Sequence, residues 1–315
     1  MERLDPSSLE RCDSLFIGPH GDDVLLACPT RVQAEVEKGR RALVLALFEP
    51  LGTGTKAAEC ARSLGAAYAA GGLLPASVRR RGQKPTPSPR LPEDDAAALE
   101  AARLLADMVP RTQAVHIFAP LGLGPSIDHL LTYEASVRAF ATGQGRNLFL
   151  YEERPEAFVP GAVRTRLALL GARLPPAAQR AAEPASLWRH LWCLSEPRRL
   201  RGESTTWRER LAALAVARRA LRTARPWNPL RAFGPRLQPV LHSAEEEAMR
   251  RAAAVVETLL PADGRRSRAA SRFNARAAAA ARKLGGVYHT ERFWLFLPSG
   301  DGLPEVQHPL EHSLA

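Results

Sequence analysis

Short, uninterrupted apolar runs alternate with helix-length segments over the first half of this 315-residue chain. The clearest run is ALVLALF at residues 42–48, which shows no alternation with polar residues. Runs of this kind are typical of strands covered on both faces, as in parallel sheets. The pattern predicts further strands at 14–18, 114–119 and 147–152 and helices at 24–38, 55–64, 92–108 and 128–142. It therefore predicts an α/β fold, a Rossmann-like parallel sheet with helices on both faces.

The alternation breaks at two places. Residues 79–92 (RRRGQKPTPSPRLP) are rich in Pro and Arg, and we expect them to form an exposed loop. From 155 to 272 the pattern is helical and basic with Pro-rich joints, which predicts a helical insertion or cap. An aromatic-rich, strand-like stretch at 287–297 is predicted to rejoin the sheet. The predicted division is a Rossmann-like core at 1–154, the insertion at 155–272 and a return to the core at 273–315.

Composition and charge indicate which kinds of partner and which cellular location to expect. The formal net charge of +11 comes mostly from arginine, but no basic motif interleaved with aromatics and no zinc-finger spacing accompanies it. We therefore expect no nucleic-acid partner. No apolar run reaches the roughly 18 residues of a membrane-spanning helix, and the N-terminus lacks the pattern of a secretory signal. Together with Cys12, Cys28, Cys60 and Cys193, which form no CxxC pair, these features predict a cytoplasmic protein with reduced thiols and leave its oligomeric state open.

The stretch FIGPHGDDVL, at residues 16–25, places His20, Asp22 and Asp23 directly after the first predicted strand. Open parallel sheets bind their ligands outside the carboxyl ends of the strands, where this turn lies. A catalytic zinc site combines three protein ligands with an open position for water, and His and Asp are suitable ligands. His20 and Asp23 could supply two of them, with Asp22 facing a water. The same residues could equally cap the following helix, and the turn alone does not separate these interpretations.

A second junction of the same kind follows the predicted strand at 114–119. Its sequence, PLGLGPSIDHLLTYEA, contains a Gly- and Pro-rich loop and then Asp128 and His129 at the start of a predicted helix. Because the carboxyl ends of parallel strands meet at one edge of the sheet, we expect His129 to join His20 and Asp23 as a third ligand. Two junctions that each carry Asp and His favour a metal site over a capped turn.

These residues resemble the PIG-L/LmbE family of zinc-dependent N-deacetylases, whose signatures are PHxDD and HxDH. The sequence PHGDD at 19–23 corresponds to the first signature and SIDH at 126–129 to the second, with Ser126 in place of the first histidine. The segments KAAECARSLGA, LYEERP and ERFW are also similar to family segments. The resemblance covers roughly 14–153 and 286–297.

The resemblance implies a hydrolase that removes an N-acetyl or other N-acyl group from an amino sugar or an amino-sugar conjugate. N-acetylglucosamine and glycosylated secondary metabolites are examples of such substrates. It implies that His20, Asp23 and His129 bind Zn²⁺, or another divalent metal, and that Asp22 is the general base. The Asp of the second signature orients the missing histidine in the family, so Asp128 is expected to lack its partner here.

Ser126 replaces a histidine that faces the substrate carbonyl in the family. Ser126 could donate a hydrogen bond itself, another histidine such as His289 could substitute, or the protein could bind metal and ligand with little turnover. One oxyanion-stabilising or acid/base group contributes on the order of 10²–10⁴ in rate. The alternative function is therefore a catalytically weakened or inactive metal-containing binding or regulatory protein.

Overall fold

The computed structural model describes residues 9–80, 91–123, 126–140, 145–158, 162–172, 236–260, 266–283 and 289–297. Much of the predicted helical insertion lies outside these residues, because 173–235 are not among them. The division of the chain into a core, an insertion and a return to the core therefore stays a prediction.

One seven-stranded sheet runs through the described residues. Its strands are β1 (Ser14–Gly18), β2 (Ala42–Ala46), β3 (Ala67–Ala70), β4 (His116–Pro120), β5 (Asn147–Tyr151), β6 (Arg236–Ala244) and β7 (His289–Leu297). Their order across the sheet is β3-β2-β1-β4-β5-β7-β6. Strands β1 to β5 are parallel to one another, whereas β7 runs antiparallel to both β5 and β6. The predicted α/β class is confirmed, and the first five strands form its Rossmann-like part.

Helices pack on both faces of this sheet. They are α1 (Gly21–Ala27), α2 (Pro29–Glu37), α3 (Thr55–Ser63), α4 (Ala76–Arg79), α5 (Pro92–Thr112), α6 (Ile127–Phe140), α7 (Ala162–Leu169), α8 (Glu246–Leu259) and α9 (Arg266–Lys283), with a 3-10 helix at Glu156–Phe158. Successive residues of a strand point to opposite faces. In β1, Leu15 and Ile17 join a buried cluster with side chains of α5 and α6, whereas Phe16 joins a second cluster with side chains of α1, α2 and α3. These two clusters form most of the core of the described residues, and a smaller buried cluster contains Leu26, Val256, Leu260 and Phe273.

In the parallel part of the sheet, one predicted helix is two helices and one strand was not predicted, and proline and alanine account for these differences. The single helix predicted at 24–38 is two helices, α1 and α2, since Pro29 lacks an N–H and opens a new helix after Cys28. Strand β3 has the sequence AYAA and was not predicted, because small alanine side chains carry little β-strand signal. Helix α3 is followed by Gly65 at a φ of +80°, the left-handed conformation that commonly ends a helix.

The antiparallel end of the sheet combines one predicted strand with one that was missed. The return to the sheet at 287–297 is confirmed as β7, which pairs with β5. Strand β6 lies within the residues assigned to the helical insertion, and its Pro239 and polar residues gave no strand signal. Proline is tolerated there because β6 is the last strand at this edge of the sheet.

Glu291 of β7 forms hydrogen bonds with the beginning of α2. Its carboxylate accepts hydrogen bonds from the backbone N–H of Thr30 at 3.1 Å and of Arg31 at 3.0 Å. These first N–H groups of a helix have no partner within the helix itself. A buried carboxylate from β7 thus supplies acceptors to the first turn of α2, the helix that follows α1.

The cysteines and the helices can be compared with the predictions made from composition. Cys12, Cys28 and Cys60 are buried free thiols, and Cys193 lies outside the described residues. In the part of the chain that the structure describes, no helix has both the length and the apolar character needed to cross a bilayer.

Candidate metal centre

The two Asp/His junctions meet where the strand order of the sheet reverses. The chain runs from β1 outward through β2 and β3, and β4 and β5 lie on the other side of β1. Open α/β sheets bind ligands in the crevice at this switch point, beyond the carboxyl ends of the strands. Helix α1 begins at Gly21, shortly after β1 ends at Gly18, and α6 begins at Ile127 beyond β4. The topology therefore brings the PHGDD turn and the start of α6 together.

His20, Asp23 and His129 form a compact group, which we call the candidate metal centre. One ligand atom from each residue lies within 4.8 Å of the other two. Asp23 Oδ2 is 3.1 Å from His20 Nδ1 and 3.5 Å from His129 Nε2. Two imidazoles and one carboxylate form a donor set that suits zinc and several other divalent cations. The structure thus brings together the three residues that the sequence suggested, and their chemistry fits such a cation.

Asp23 also caps helix α1. Its Oδ2 accepts a hydrogen bond from the backbone N–H of His20 at 3.0 Å. The prediction that the turn caps the following helix is therefore correct for Asp23. It does not compete with the metal interpretation, because the same carboxylate oxygen faces both imidazoles.

Each imidazole of the candidate metal centre has a second carboxylate at its other nitrogen. His20 Nε2 is 3.1 Å from Asp128 Oδ2, and His129 Nδ1 is 3.5 Å from Glu153 Oε1. A carboxylate at the outer nitrogen fixes the ring and its tautomer, so that the inner nitrogen offers a lone pair to a metal. Glu153 follows β5 and also accepts a hydrogen bond from Leu123 N at 2.8 Å. This position of Glu153 was not predicted from the sequence, although an acid shortly after a parallel strand is also the signal that identified Asp23.

Asp128 is fully engaged. Its Oδ2 accepts a hydrogen bond from Ala76 N at 2.9 Å as well as facing His20, and its Oδ1 is 2.8 Å from the guanidinium of Arg79. The expectation that Asp128 lacks an imidazole partner is wrong, because His20 provides one. Ser126 is half-buried and stands directly before α6.

His289 forms the first backbone pair of β7, opposite Ala244 at the end of β6. In the sheet order, β5 lies between β7 and β4, the strand that precedes α6. The backbone of His289 is therefore two strands away from the strand that leads to Ser126. A role for His289 in place of the missing histidine stays a prediction.

The side chains of the first two residues of the predicted exposed loop at 79–92 are buried. The side chains of Arg79 and Arg80 are only 7% and 2% exposed, and both pair with Asp94 near the start of α5. Residues 81–90 lie outside the described part of the chain. The prediction failed for the two arginines because buried carboxylates require cationic partners, and a run of arginines does not reveal which of them serve that purpose.

The carboxylates outweigh burial at both histidines. Burial by itself lowers the pKa of His20, but its contacts with Asp128 and Asp23 raise that pKa to about 10. Burial likewise opposes the charge on His129, yet Asp23 and Glu153 raise its pKa to about 9. Burial would raise the pKa of Asp128, but His20 and Arg79 hold it below its usual range. Without metal, both imidazoles are cationic at neutral pH, and a divalent cation must displace their protons.

We therefore expect the stability of the metal-free protein to fall as the pH rises. Both folded-state pKa values exceed the ordinary 6.5, so the protonated imidazoles stabilise the fold fully below pH 6.5. That contribution is lost as the pH passes through about 9 and about 10. Urea unfolding of the metal-free protein across this range measures the decline, and His20→Gln should make it shallower. Equal slopes for the wild type and His20→Gln would contradict the prediction.

The PHGDD turn packs closely against the side chains of Tyr68, in β3, and Glu49, just beyond β2. Tyr68 Oη donates a hydrogen bond to Glu49 Oε2 at 2.8 Å. A Cβ on Gly21 would lie 2.4 Å from Tyr68 Oη and 2.6 Å from Glu49 Oε2. Burial, Glu49 and the nearby charge of half-buried Asp22 raise the pKa of Tyr68 above its usual range. The third residue of the turn is glycine because there is no room for a side chain.

Gly21→Ala should therefore disturb both the fold and the candidate metal centre. We expect a loss of about 1–3 kcal/mol in the free energy of unfolding, because overpacking must displace Tyr68 or the turn. Metal affinity, measured by competition with a chelator, should fall as well. Gly39→Ala is the matched control: its φ is +74° but its Cβ would meet nothing within 4 Å. It should lower stability by about 1 kcal/mol and leave metal affinity unchanged. Unchanged metal affinity in Gly21→Ala would contradict the prediction.

Together, the sheet and the clustered ligands define an α/β protein with a candidate metal centre at the switch point of its sheet. The sequence matches no protein-family model and no curated protein. The fold is similar to that of a zinc-inhibited form of teicoplanin deacetylase, with a TM-score of 0.58 and 15% identity over 92% of this chain and 99% of that chain. It is also similar to that of the A40926 pseudoaglycone deacetylase, with a TM-score of 0.51 and 14% identity over 93% of this chain and 100% of that chain. At these identities the comparisons establish a shared fold.

Proposed function

We propose that this protein is a metal-dependent hydrolase that removes an N-acetyl or other N-acyl group from an amino sugar in a glycosylated secondary metabolite. The observation that carries the proposal is the convergence of His20, Asp23 and His129 beside Asp22 at the switch point. Two proteins that share the fold, at low identity, are deacetylases of the antimicrobial compounds teicoplanin and A40926 pseudoaglycone. These neighbours support the substrate class.

In this proposal, His20 Nδ1, His129 Nε2 and Asp23 hold the cation. A divalent cation at this position would supply Lewis acidity and lower the pKa of a coordinated water toward about 7. Zn²⁺ is the ion we propose first, because two imidazoles and a carboxylate are a common zinc donor set. Asp128 keeps the His20 ring in place through its outer nitrogen, and Glu153 lies 3.5 Å from the outer nitrogen of His129.

Asp22 is the proposed proton carrier. It belongs to the first turn of α1, next to Asp23, and is half-buried rather than enclosed. Its carboxylate accepts a proton from the attacking water as the new C–O bond forms at the amide carbon. It then returns that proton to the amide nitrogen as the C–N bond breaks, which releases acetate and a free amine. Ser126 is the proposed donor to the developing oxyanion, since it lies three residues before His129 at the same helix end.

The test is release of acetate from N-acetylated amino-sugar conjugates by the purified protein. The panel should include teicoplanin-type compounds and simple N-acetyl amino sugars, together with longer N-acyl analogues. We expect release that requires added divalent metal and yields acetate and amine in equal amounts. Zn²⁺ should be tested both at one equivalent and in excess, because a zinc-inhibited form exists for a protein of this fold. Absence of metal-dependent release across the panel would contradict the hydrolase proposal.

A second candidate function follows from Ser126. If the serine cannot replace the imidazole of the HxDH signature, the protein would bind metal and conjugate without turnover. This alternative predicts that the conjugate binds in a metal-dependent way and is recovered unchanged. Calorimetric binding of the conjugate, combined with the acetate assay, separates the two functions.

A further inference from the structure

Arg79 contacts Asp128 beside the candidate metal centre, and several other groups fix its position. Its Nη2 is 2.8 Å from Asp128 Oδ1 and 3.3 Å from Asp94 Oδ1. Its Nη1 donates a hydrogen bond to the carbonyl of Leu74, and its guanidinium lies over the ring of Phe48, 4.8 Å from the ring centroid. A charged side chain that is 7% exposed and has four defined contacts has little freedom to move.

These contacts continue from Arg79 through Asp128 to His20. Asp128 Oδ1 is taken by Arg79, and Oδ2 accepts the backbone N–H of Ala76 while lying 3.1 Å from His20 Nε2. With both oxygens engaged, the carboxylate cannot turn without breaking a buried hydrogen bond. Its remaining acceptor direction is aimed at His20 Nε2. A proton on Nε2 leaves the lone pair on Nδ1, the nitrogen 3.1 Å from Asp23 Oδ2.

We propose that Arg79 is a positioning residue: by holding Asp128 against His20 Nε2, it fixes the ring and tautomer of His20 with Nδ1 toward the cation. The inference rests on the proposed function in that it takes His20 as a metal ligand. It gives Asp128 a role that requires no histidine at position 126. The arginine that the sequence placed in an exposed loop thereby becomes part of the support of the candidate metal centre.

The effect of losing Arg79 follows from the geometry. Asp128 Oδ1 would lose its only charged partner in the described contacts, so that the Ala76 N–H alone would hold the carboxylate against His20. His20 would then lose a fixed acceptor at Nε2, and its Nδ1 would no longer be held toward Asp23. Loss of such an outer contact to a metal-binding histidine typically weakens metal affinity by about 10–100-fold.

The test is a double-mutant cycle on Zn²⁺ affinity, measured by competition with a chromophoric chelator. We expect Arg79→Met and Asp128→Asn each to weaken Zn²⁺ binding by about 10–100-fold. The double variant should bind no more weakly than Asp128→Asn alone, because both changes remove the same support of His20. Additive losses, or an unchanged affinity in Arg79→Met, would overturn the inference.

Arg80→Met is the matched control. Arg80 is the adjacent buried arginine, and it pairs with both oxygens of Asp94. Its loss should affect stability as much as the loss of Arg79 but change Zn²⁺ affinity by less than about twofold. If Arg79→Met is not recovered folded, Arg79→Lys serves in the same cycle, where a smaller and non-additive loss supports the inference and an additive loss overturns it.

A spectroscopic signature separates positioning from general stability. In the zinc-loaded wild type, long-range proton–nitrogen NMR spectra should place the His20 proton on Nε2 and show that it exchanges slowly. In Arg79→Met this proton should exchange faster, whereas Arg80→Met should match the wild type. Wild-type exchange in Arg79→Met would contradict the inference.

The outcomes also separate this inference from the proposed function. If the wild type binds Zn²⁺ but releases no acetate, the hydrolase fails and the positioning role stands. If the wild type binds and hydrolyses but the cycle shows no coupling, only the role of Arg79 fails. If the wild type binds no divalent cation, the inference is overturned together with the metal centre.

Discussion

Asp22→Asn should lower the rate of acetate release by a factor on the order of 10²–10⁴, the usual contribution of a general base, and leave metal binding intact. Asparagine has the same shape as aspartate but cannot accept the proton of the attacking water. Asp22 is not among the three residues whose ligand atoms converge, so its neutralisation should not release the cation. The measurements are kcat for acetate release and metal content by elemental analysis on the same sample.

The matched control for this variant is Asp95→Asn. Asp95 is also an acid in the first turn of a helix, α5, and it is exposed. Both substitutions therefore remove one carboxylate from a helix N-terminus, but only one of them should affect turnover. A rate for Asp22→Asn close to that of Asp95→Asn would show that Asp22 is not the base. Loss of metal from Asp22→Asn would instead place it among the ligands.

His129→Gln should weaken metal binding by at least about 100-fold. Structural zinc sites with four protein ligands bind the ion with about 10–16 kcal/mol, or about 3 kcal/mol for each ligand. A loss of about 3 kcal/mol weakens affinity by about 100-fold. His129 is the only ligand that β4 and α6 contribute to the group of His20, Asp23 and His129. Glutamine keeps most of the volume of the imidazole while removing its metal-binding nitrogen. Competition with a chelator gives the affinity, and circular dichroism verifies the fold.

A second buried histidine provides the control for His129→Gln. His116 is the first residue of β4, at the opposite end of that strand from the metal centre, and lies near Phe149 with ring centroids 6.2 Å apart. His116→Gln therefore removes a buried imidazole from the same strand-and-helix unit without touching the proposed ligands. Equal losses of metal affinity in the two variants would indicate a general effect on the fold. Retained affinity in His129→Gln would show that the two junctions do not share a cation.

The parallel strands and the convergence of the candidate ligands were predictable because each depends on local sequence and one general rule. Ser14–Gly18 is an apolar run that ends before a turn, and it forms the strand the pattern predicts. His20, Asp23 and His129 follow two such strands, and parallel strands place all their carboxyl ends at one edge. The convergence of residues more than 100 positions apart needed no knowledge of side-chain contacts.

The support around the ligands was not predictable in the same way. Arg79 meets Asp128 across 49 positions, and Asp128 meets His20 across 108. Neither pair has a local sequence signature, since each forms only when the ends of different strands pack together. The run RRRGQKPTPSPRLP therefore looked like a solvated loop, although its first arginine pairs with Asp128 beside the candidate metal centre. Strand β6 was missed for a related reason: an edge strand tolerates the proline and polar residues that conceal it.

A crystal structure of the zinc-soaked protein, with anomalous diffraction recorded at the zinc edge, tests the central claim most directly. We expect one strong anomalous peak within bonding distance of His20 Nδ1, an Asp23 carboxylate oxygen and His129 Nε2. A zinc peak bonded to the PHGDD turn without His129, or zinc bound only elsewhere on the chain, would contradict it.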